Sequence, residues 1–185
     1  MNLILIGFRC AGKSSVGTYI AKRTRKEFID CDDYIENRTH LAIREIFDIA
    51  GETHFRTLES GAIADLSKGD DRVIATGGGA VLRYKNITNL KRNGVVVFLD
   101  VEPESAWDRL RNDPKTERRR PPLTNQDPFL EIREQVEFRK PYYRSASDLT
   151  VKTDGKSVDE IVREILDYMK PYGYEEVDDG DAQPV

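Results

Sequence analysis

Short apolar runs alternate along this chain with longer segments whose apolar residues recur at helical spacing. Leu3-Ile4-Leu5-Ile6 is apolar without interruption, as expected of a strand buried on both faces of a parallel sheet. Further strands are predicted at Phe28–Ile29, Val73–Ala75, Val95–Leu99 and Leu149–Val151. A helix is predicted from Lys13 to about Arg23, with Val16, Ile20 and Ala21 on one face. Others are predicted over Asp33–Arg38, Ala42–Ala50, His54–Ser67, Tyr84–Arg92, Glu104–Arg111, Pro128–Ser145 and Val158–Tyr168. Alternating strands and helices call for a parallel sheet with helices on both faces. The expected class is therefore α/β, with five parallel strands in the middle layer of three. Asp113–Asp127 is the one long segment without apolar periodicity. It carries Lys115, Arg118, Arg119 and Arg120 before Pro121-Pro122, and a mobile lid is expected there.

Composition narrows the class further. A chain of 185 residues suits one domain with a sizeable core. The expected division is a single domain over 1–170 and an acidic, disordered tail over 171–185. Five acids and no Lys or Arg occupy residues 175–185; without them the net charge of −4 becomes +1 for residues 1–174. That near-neutral body has no basic stripe with interleaved aromatics, so no nucleic-acid partner is expected. No apolar run is long enough to cross a membrane, and the N-terminus runs directly into a strand without a basic leader. Cys10 and Cys31 do not suggest a disulfide framework, which points to a reducing compartment. A cytoplasmic location without membrane attachment is expected. His40 and His54 have no metal-ligand spacing with the cysteines.

The chemistry concentrates at strand ends. Gly7-Phe8-Arg9-Cys10-Ala11-Gly12-Lys13-Ser14 fits G-x-x-x-x-G-K-[ST], the P-loop. It has the strand before it and the helix after it that such a loop needs. Its backbone N–H groups and the helix's positive end favour phosphate, Lys13 reaches the β- and γ-phosphates, and the Ser14 hydroxyl suits Mg²⁺. Asp30-Cys31-Asp32-Asp33 follows the second strand and Gly77-Gly78-Gly79 the third. Ligands in such sheets collect at these carboxyl ends. A carboxylate there can hold Mg²⁺, and one two residues on can engage an acceptor hydroxyl. Two plainer readings stay open. The aspartates can cap the next helix, Asp33 from its first turn, and three glycines can simply make a turn.

Taken in order, these residues resemble the shikimate kinase family of nucleoside-monophosphate-kinase-like P-loop proteins. The resemblance spans about residues 2–170. It rests on Gly12-Lys13-Ser14; Phe28-Ile29-Asp30-Cys31-Asp32; Gly51-Glu52 with Phe55-Arg56 and Glu59; Ala75-Thr76-Gly77-Gly78-Gly79-Ala80-Val81; Arg120-Pro121-Pro122-Leu123; and Arg139-Lys140-Pro141-Tyr142-Tyr143. It implies a P-loop kinase fold and transfer of the ATP γ-phosphate to the 3-hydroxyl of shikimate, on the route to chorismate and the aromatic amino acids. It assigns catalysis to Lys13, Asp32 and Arg120, and the nucleotide to Gly7, Cys10, Ala11, Gly12, Lys13, Ser14, Ser15, Arg111 and Arg120. Mg²⁺ falls to Ser14 and Asp30. Shikimate falls to Asp32, Arg56, Gly77, Gly78, Gly79 and Arg139. Glu59 orients Arg56, and the family favours a monomer. Arg suits a carboxylate because its planar fork bonds both oxygens. Ion pairs of Arg56 with Glu59 or Glu52 are the plainer alternative for that residue, and a solvated helix face for Arg139. Cys10 stands where the family commonly has Gly, and Ser15 where Thr is common. A related small-molecule kinase such as a gluconate kinase, or a nucleotide-binding regulatory module that has lost catalysis, are the competing readings.

Overall fold

The computed structural model describes residues 1–112 and 127–177. Its sheet holds β1 (Asn2–Ile6), β2 (Glu27–Asp30), β3 (Arg72–Ala75), β4 (Gly94–Asp100) and β5 (Leu149–Lys152) in the order β2-β3-β1-β4-β5. All four pairings are parallel. Leu3 lies between Val73 and Val95 in register. The apolar run of β1 is explained by that place, since every one of its residues is buried. β2 is an edge strand and only half-buried.

Seven helices are described: α1 (Lys13–Thr24), α2 (Cys31–Thr39), α3 (Ile43–Leu66), α4 (Tyr84–Arg92), α5 (Pro103–Arg111), α6 (Pro128–Ala146) and α7 (Val158–Met169). The crossover from β1 to β2 runs one way across the sheet, and those from β3 to β4 and β4 to β5 run the other way. Right-handed crossovers then put α1 on one face and α4, α5 and α6 on the opposite face. α7 returns to pack on α1, while α5 packs on α6 and α2 on α3. The reversal of direction beside β1 makes the crevice at the carboxyl ends of β1 and β3 the natural ligand site.

Two details differ from the sequence pattern. The two helices expected over Ala42–Ala50 and His54–Ser67 are both present, but no loop separates them: they join within α3 at Gly51, whose φ of 76° and ψ of 174° are not helical. Glycine tolerates that left-handed φ. The expected gap is therefore a kink, anchored by a small core of Ile35, Ile43, Ile46, Phe55 and Ala62 between α2 and α3. Helix α2 begins at Cys31 rather than Asp33, because its N-cap is Asp30, whose Oδ1 accepts from the Asp32 N–H at 2.9 Å.

The start of the expected tail also needs correction. Lys170–Tyr172 form a 3-10 turn, and Tyr174 is fully buried. Its hydroxyl accepts from the Leu3 N–H at 2.8 Å and donates to the Arg72 carbonyl at 2.8 Å. Lys26 Nζ stands 4.5 Å from the ring centroid. The Val177 N–H donates to the Arg23 carbonyl at 2.9 Å, and Arg23 pairs with Glu176 at 2.8 Å. Residues 171–177 thus close the amino ends of β1 and β3; residues 178–185 lie outside the described residues. Tyr174→Phe should cost about 1–3 kcal/mol, since it strips a buried N–H and C=O of their shared partner. At about 2–4 °C per kcal/mol for a chain of this size, a thermal melt will show it. Activity at 25 °C should be unchanged, because this end of the sheet is opposite the P-loop.

Candidate active site

The loop after β1 is shaped by three positive φ values. Gly7 (φ 148°) lies so close to β4 that a Cβ would stand 2.7 Å from the Leu99 carbonyl oxygen. Gly12 (φ 94°) precedes α1. Cys10 carries a side chain at φ 62°, a conformation that costs an ordinary residue about 1 kcal/mol or more. An N–H···O bond from Ala11 to Phe8 (3.2 Å) closes the turn. Gly12 supplies no side-chain cap, and the first turn of α1 holds no acid. The positive end of α1 therefore faces the loop without a neutralising side chain of its own. Lys13 Nζ curls back to donate to the Gly7 and Phe8 carbonyls at 3.0 and 2.8 Å.

One short turn links this loop to the opposite side of the crevice. Asp30 ends β2, and its Oδ2 accepts the Ser14 hydroxyl at 2.8 Å while its Oδ1 caps α2. Capping and the phosphate-side role expected of Asp30 are compatible, because each oxygen has its own direction. Asp32, one residue into α2, turns the other way: its Oδ1 is 3.0 Å from where a Gly77 Cβ would sit. Cys31 between them is buried, and burial, with Asp32, Asp30 and Glu59 adding to it, pushes its thiol well up. Its place at a helix N-terminus, which alone favours thiolate, is outweighed.

The second half of the crevice is built on the glycine loop after β3. A Cβ on Gly77 would stand 2.6 Å from Glu59 Oε1, and one on Gly79 would stand 2.3 Å from Arg56 Nη1. Arg56 donates from Nη1 to Glu59 at 2.9 Å and from Nη2 to Glu52 at 3.0 Å. Glu59 is fully buried, whereas Glu52 is exposed. Burial works against the Arg56 charge, but the adjacent Glu59 and the bonds to both glutamates hold its pKa above the ordinary arginine value. Arg139 of α6 donates to the Gly78 carbonyl at 3.3 Å, and its guanidinium carbon is 5.7 Å from the Phe8 ring centroid. Lys13, Ser14, Asp30, Asp32, Arg56, Arg139 and the three glycines are thus gathered at the carboxyl ends of β1, β2 and β3.

Comparison with known proteins gives this constellation a family. A family model described as shikimate kinase matches residues 9–170. A shikimate kinase of Symbiobacterium thermophilum is 38% identical over 173 residues, covering 94% of this chain and 98% of that protein. One from Hahella chejuensis is 42% identical over 165 residues, covering 89% and 84%. Among solved structures, shikimate kinase from Acinetobacter baumannii in complex with shikimate superposes with a TM-score of 0.85 at 32% identity, covering 92% of this chain and 93% of that one. The Aquifex aeolicus shikimate kinase gives 0.75 at 34% identity, covering 93% and 98%. The chain belongs to the shikimate kinase family. Its fold is that of the P-loop kinases, and membership makes ATP the co-substrate.

Other family positions are not among the crevice residues described above. Arg120, with Arg118 and Arg119, lies outside the described residues, as does the rest of the expected lid up to residue 126. Asp127, the last lid residue, caps α6 by accepting from the Phe129 N–H at 2.8 Å. Arg111 ends α5 with an exposed side chain over Trp107. Arg109, two residues earlier, reaches the P-loop from α5, donating to the Cys10 carbonyl at 3.2 Å. Tyr143 was also missed. Buried and stacked on Phe98 at 4.9 Å, it donates to the Gly78 carbonyl at 2.5 Å and so holds the glycine loop from α6. Its signal was present in Arg139-Lys140-Pro141-Tyr142-Tyr143, where helical spacing puts residue 143 on the face of residue 139. Among the described residues no helix is long and apolar enough to cross a membrane.

The glycine contacts make a local prediction for this shikimate kinase family member. Gly79→Ala should push the Arg56 guanidinium aside without moving backbone, raising the KM for shikimate about tenfold, the cost of a mild steric insertion. Affinity for ATP should stay constant, and steady-state kinetics with each substrate varied in turn separates the two.

Proposed function

We propose that this chain transfers the γ-phosphate of ATP to the 3-hydroxyl of shikimate, giving shikimate 3-phosphate and ADP. The observation that supports it most is the Asp30-Cys31-Asp32 turn. It sends one carboxylate to Ser14 on the nucleotide side and the other to the glycine loop on the acceptor side. The P-loop amides and the N-terminus of α1 hold the phosphates, with Gly7, Cys10, Ala11, Gly12, Lys13, Ser14 and Ser15 supplying the cradle. Lys13 leaves the loop carbonyls for the β- and γ-phosphates, where its charge offsets what develops on the equatorial oxygens. Arg56 and Arg139 grip the shikimate carboxylate, and Glu59 keeps Arg56 aimed. Asp32 orients the acceptor hydroxyl and accepts its proton.

The oxygen-only pair Ser14 and Asp30, 2.8 Å apart, fits Mg²⁺, a hard cation that takes few protein ligands and completes its shell with phosphate and water. Those two residues would hold it, and when bound it supplies positive charge to the phosphate oxygens. The protein is proposed to work as a cytoplasmic monomer, without nucleic-acid or membrane partners. The test is coupled ADP release with ATP and shikimate, gluconate or no acceptor. Release that depends on shikimate is expected. Equal release with gluconate or without acceptor would point to one of the competing readings.

A further inference from the structure

We propose that Arg83 is a positioning residue for the acceptor site, fixing the turn of α3 that carries Arg56 against the glycine loop. The proposal rests on the acceptor reading above, in which Arg56 grips a carboxylate, and adds to it a residue from beyond the glycine motif.

Arg83 is half-buried and is the N-cap residue of α4. Its Nη1 donates to the Arg56 carbonyl at 3.0 Å and to Ser60 Oγ at 3.3 Å. The Arg56 carbonyl lies within a helix, and a carbonyl oxygen has a second lone pair for such a donor. The chain leading to Arg83 is tightly bonded. The Ala80 N–H donates to the Gly77 carbonyl and the Leu82 N–H to the Gly79 carbonyl, each at 3.1 Å. The Asn86 N–H donates to the Arg83 carbonyl at 2.9 Å, and the buried Asn86 side chain reaches back from Nδ2 to the Ala80 carbonyl at 2.9 Å. A run of bonds therefore links the glycine loop to Arg83, and Arg83 to the backbone of Arg56.

The tie falls between two differently anchored parts of α3. Ile63 and Leu66 pack in the main core, whereas Phe55 and Ala62 belong to the small core shared with α2. Gly51 breaks the helix one turn before Phe55. Arg56 thus stands on a turn between a kink and the main core. Its bonds to Glu52 and Glu59 run within α3; they aim the guanidinium relative to its own helix and move with that helix. Its approach to Gly79, where a Cβ would stand 2.3 Å from Arg56 Nη1, depends instead on where α3 lies against the loop. Arg139 bonds the same loop at Gly78. A carboxylate held by two arginines needs both set in one frame, since a misplacement of about 1 Å forfeits much of an oriented contact. The glycine loop is that frame, and Arg83 joins Arg56 to it.

The test compares the wild type, Arg83→Met, Arg83→Lys, Arg56→Ala, and Arg56→Ala carrying Arg83→Met. The readouts are kcat/KM for shikimate and for its methyl ester, calorimetric ATP affinity and melting temperature. Arg83→Met should lower kcat/KM for shikimate about tenfold, the equivalent of one hydrogen bond to a charged group, with ATP affinity unchanged. The ester should lose no more than about twofold, because it lacks the charge that Arg56 grips. Arg83→Lys keeps a charged donor and should recover part of the loss. In the Arg56→Ala background, Arg83→Met should cost at most about twofold, since a residue that acts through Arg56 has nothing left to position. Wild-type kcat/KM in Arg83→Met would overturn the proposal. So would equal losses for acid and ester, or the full loss in the Arg56→Ala background. If Arg83→Met does not fold, Arg83→Gln, too short to reach Arg56, takes its place under the same criteria. Arg56→Ala with wild-type kcat/KM for shikimate would instead overturn the acceptor reading itself.

Discussion

Lys13→Met should lower kcat by about 100- to 1000-fold, the usual effect of removing one group that stabilises charge in the transition state. The substitution keeps the length of the side chain and removes the ammonium. ATP binding should fall far less than kcat, because the P-loop amides and the positive end of α1 remain. The fold should survive. Lys13 Nζ bonds the Gly7 and Phe8 carbonyls of the loop, at 3.0 and 2.8 Å, and α1 rests on Val16, Ile20 and Ala21, all buried. Single-turnover kinetics at saturating ATP, with a melting curve as control, makes the measurement. Near-wild-type turnover would remove Lys13 from the reaction.

Much of this architecture was legible because local pattern and global place agree. Leu3–Ile6 is continuously apolar since β1 lies between β3 and β4, and the glycines and lysine of the next eight residues serve a backbone conformation that few other residues can take. The order of the motifs also grouped Arg56, the three glycines and Arg139, and the fold brings them together after β3. What escaped depends on contacts between distant segments. Tyr174 sits among acids and glycine, where composition argues for solvation, yet its hydroxyl is bonded to both β1 and β3. Arg109 and Arg111 are alike in sequence; only the approach of α5 to the P-loop distinguishes them. Asp30 seemed a choice between cap and phosphate-side ligand because sequence treats a carboxylate as one group, whereas its two oxygens face two partners.

The acceptor side carries the second large effect. Arg56→Ala and Arg139→Ala should each weaken shikimate binding by about 2–5 kcal/mol, as expected when one partner of a buried charge pair is truncated. At about 1.4 kcal/mol per tenfold, that is roughly 30-fold to a few thousand-fold. Arg56 has the greater leverage, since it pairs at 2.9 Å with the fully buried Glu59, which would lose that ion pair. Lys at either position should also be harmful, because it cannot bond two carboxylate oxygens in one plane. ATP affinity should change much less in all four variants. Parallel losses for both substrates would place these arginines in the scaffold rather than in the acceptor site.

The central claim is that the crevice recognises shikimate through its carboxylate, held between Arg56 and Arg139. Comparing kcat/KM of the wild type for shikimate and for its methyl ester tests this most directly, since the ester keeps the ring hydroxyls and loses the charge. The ester should be a poor substrate, and the Ala variants should discriminate little between acid and ester. An ester phosphorylated as efficiently as the acid would contradict the arginine clamp and the acceptor assignment built on it.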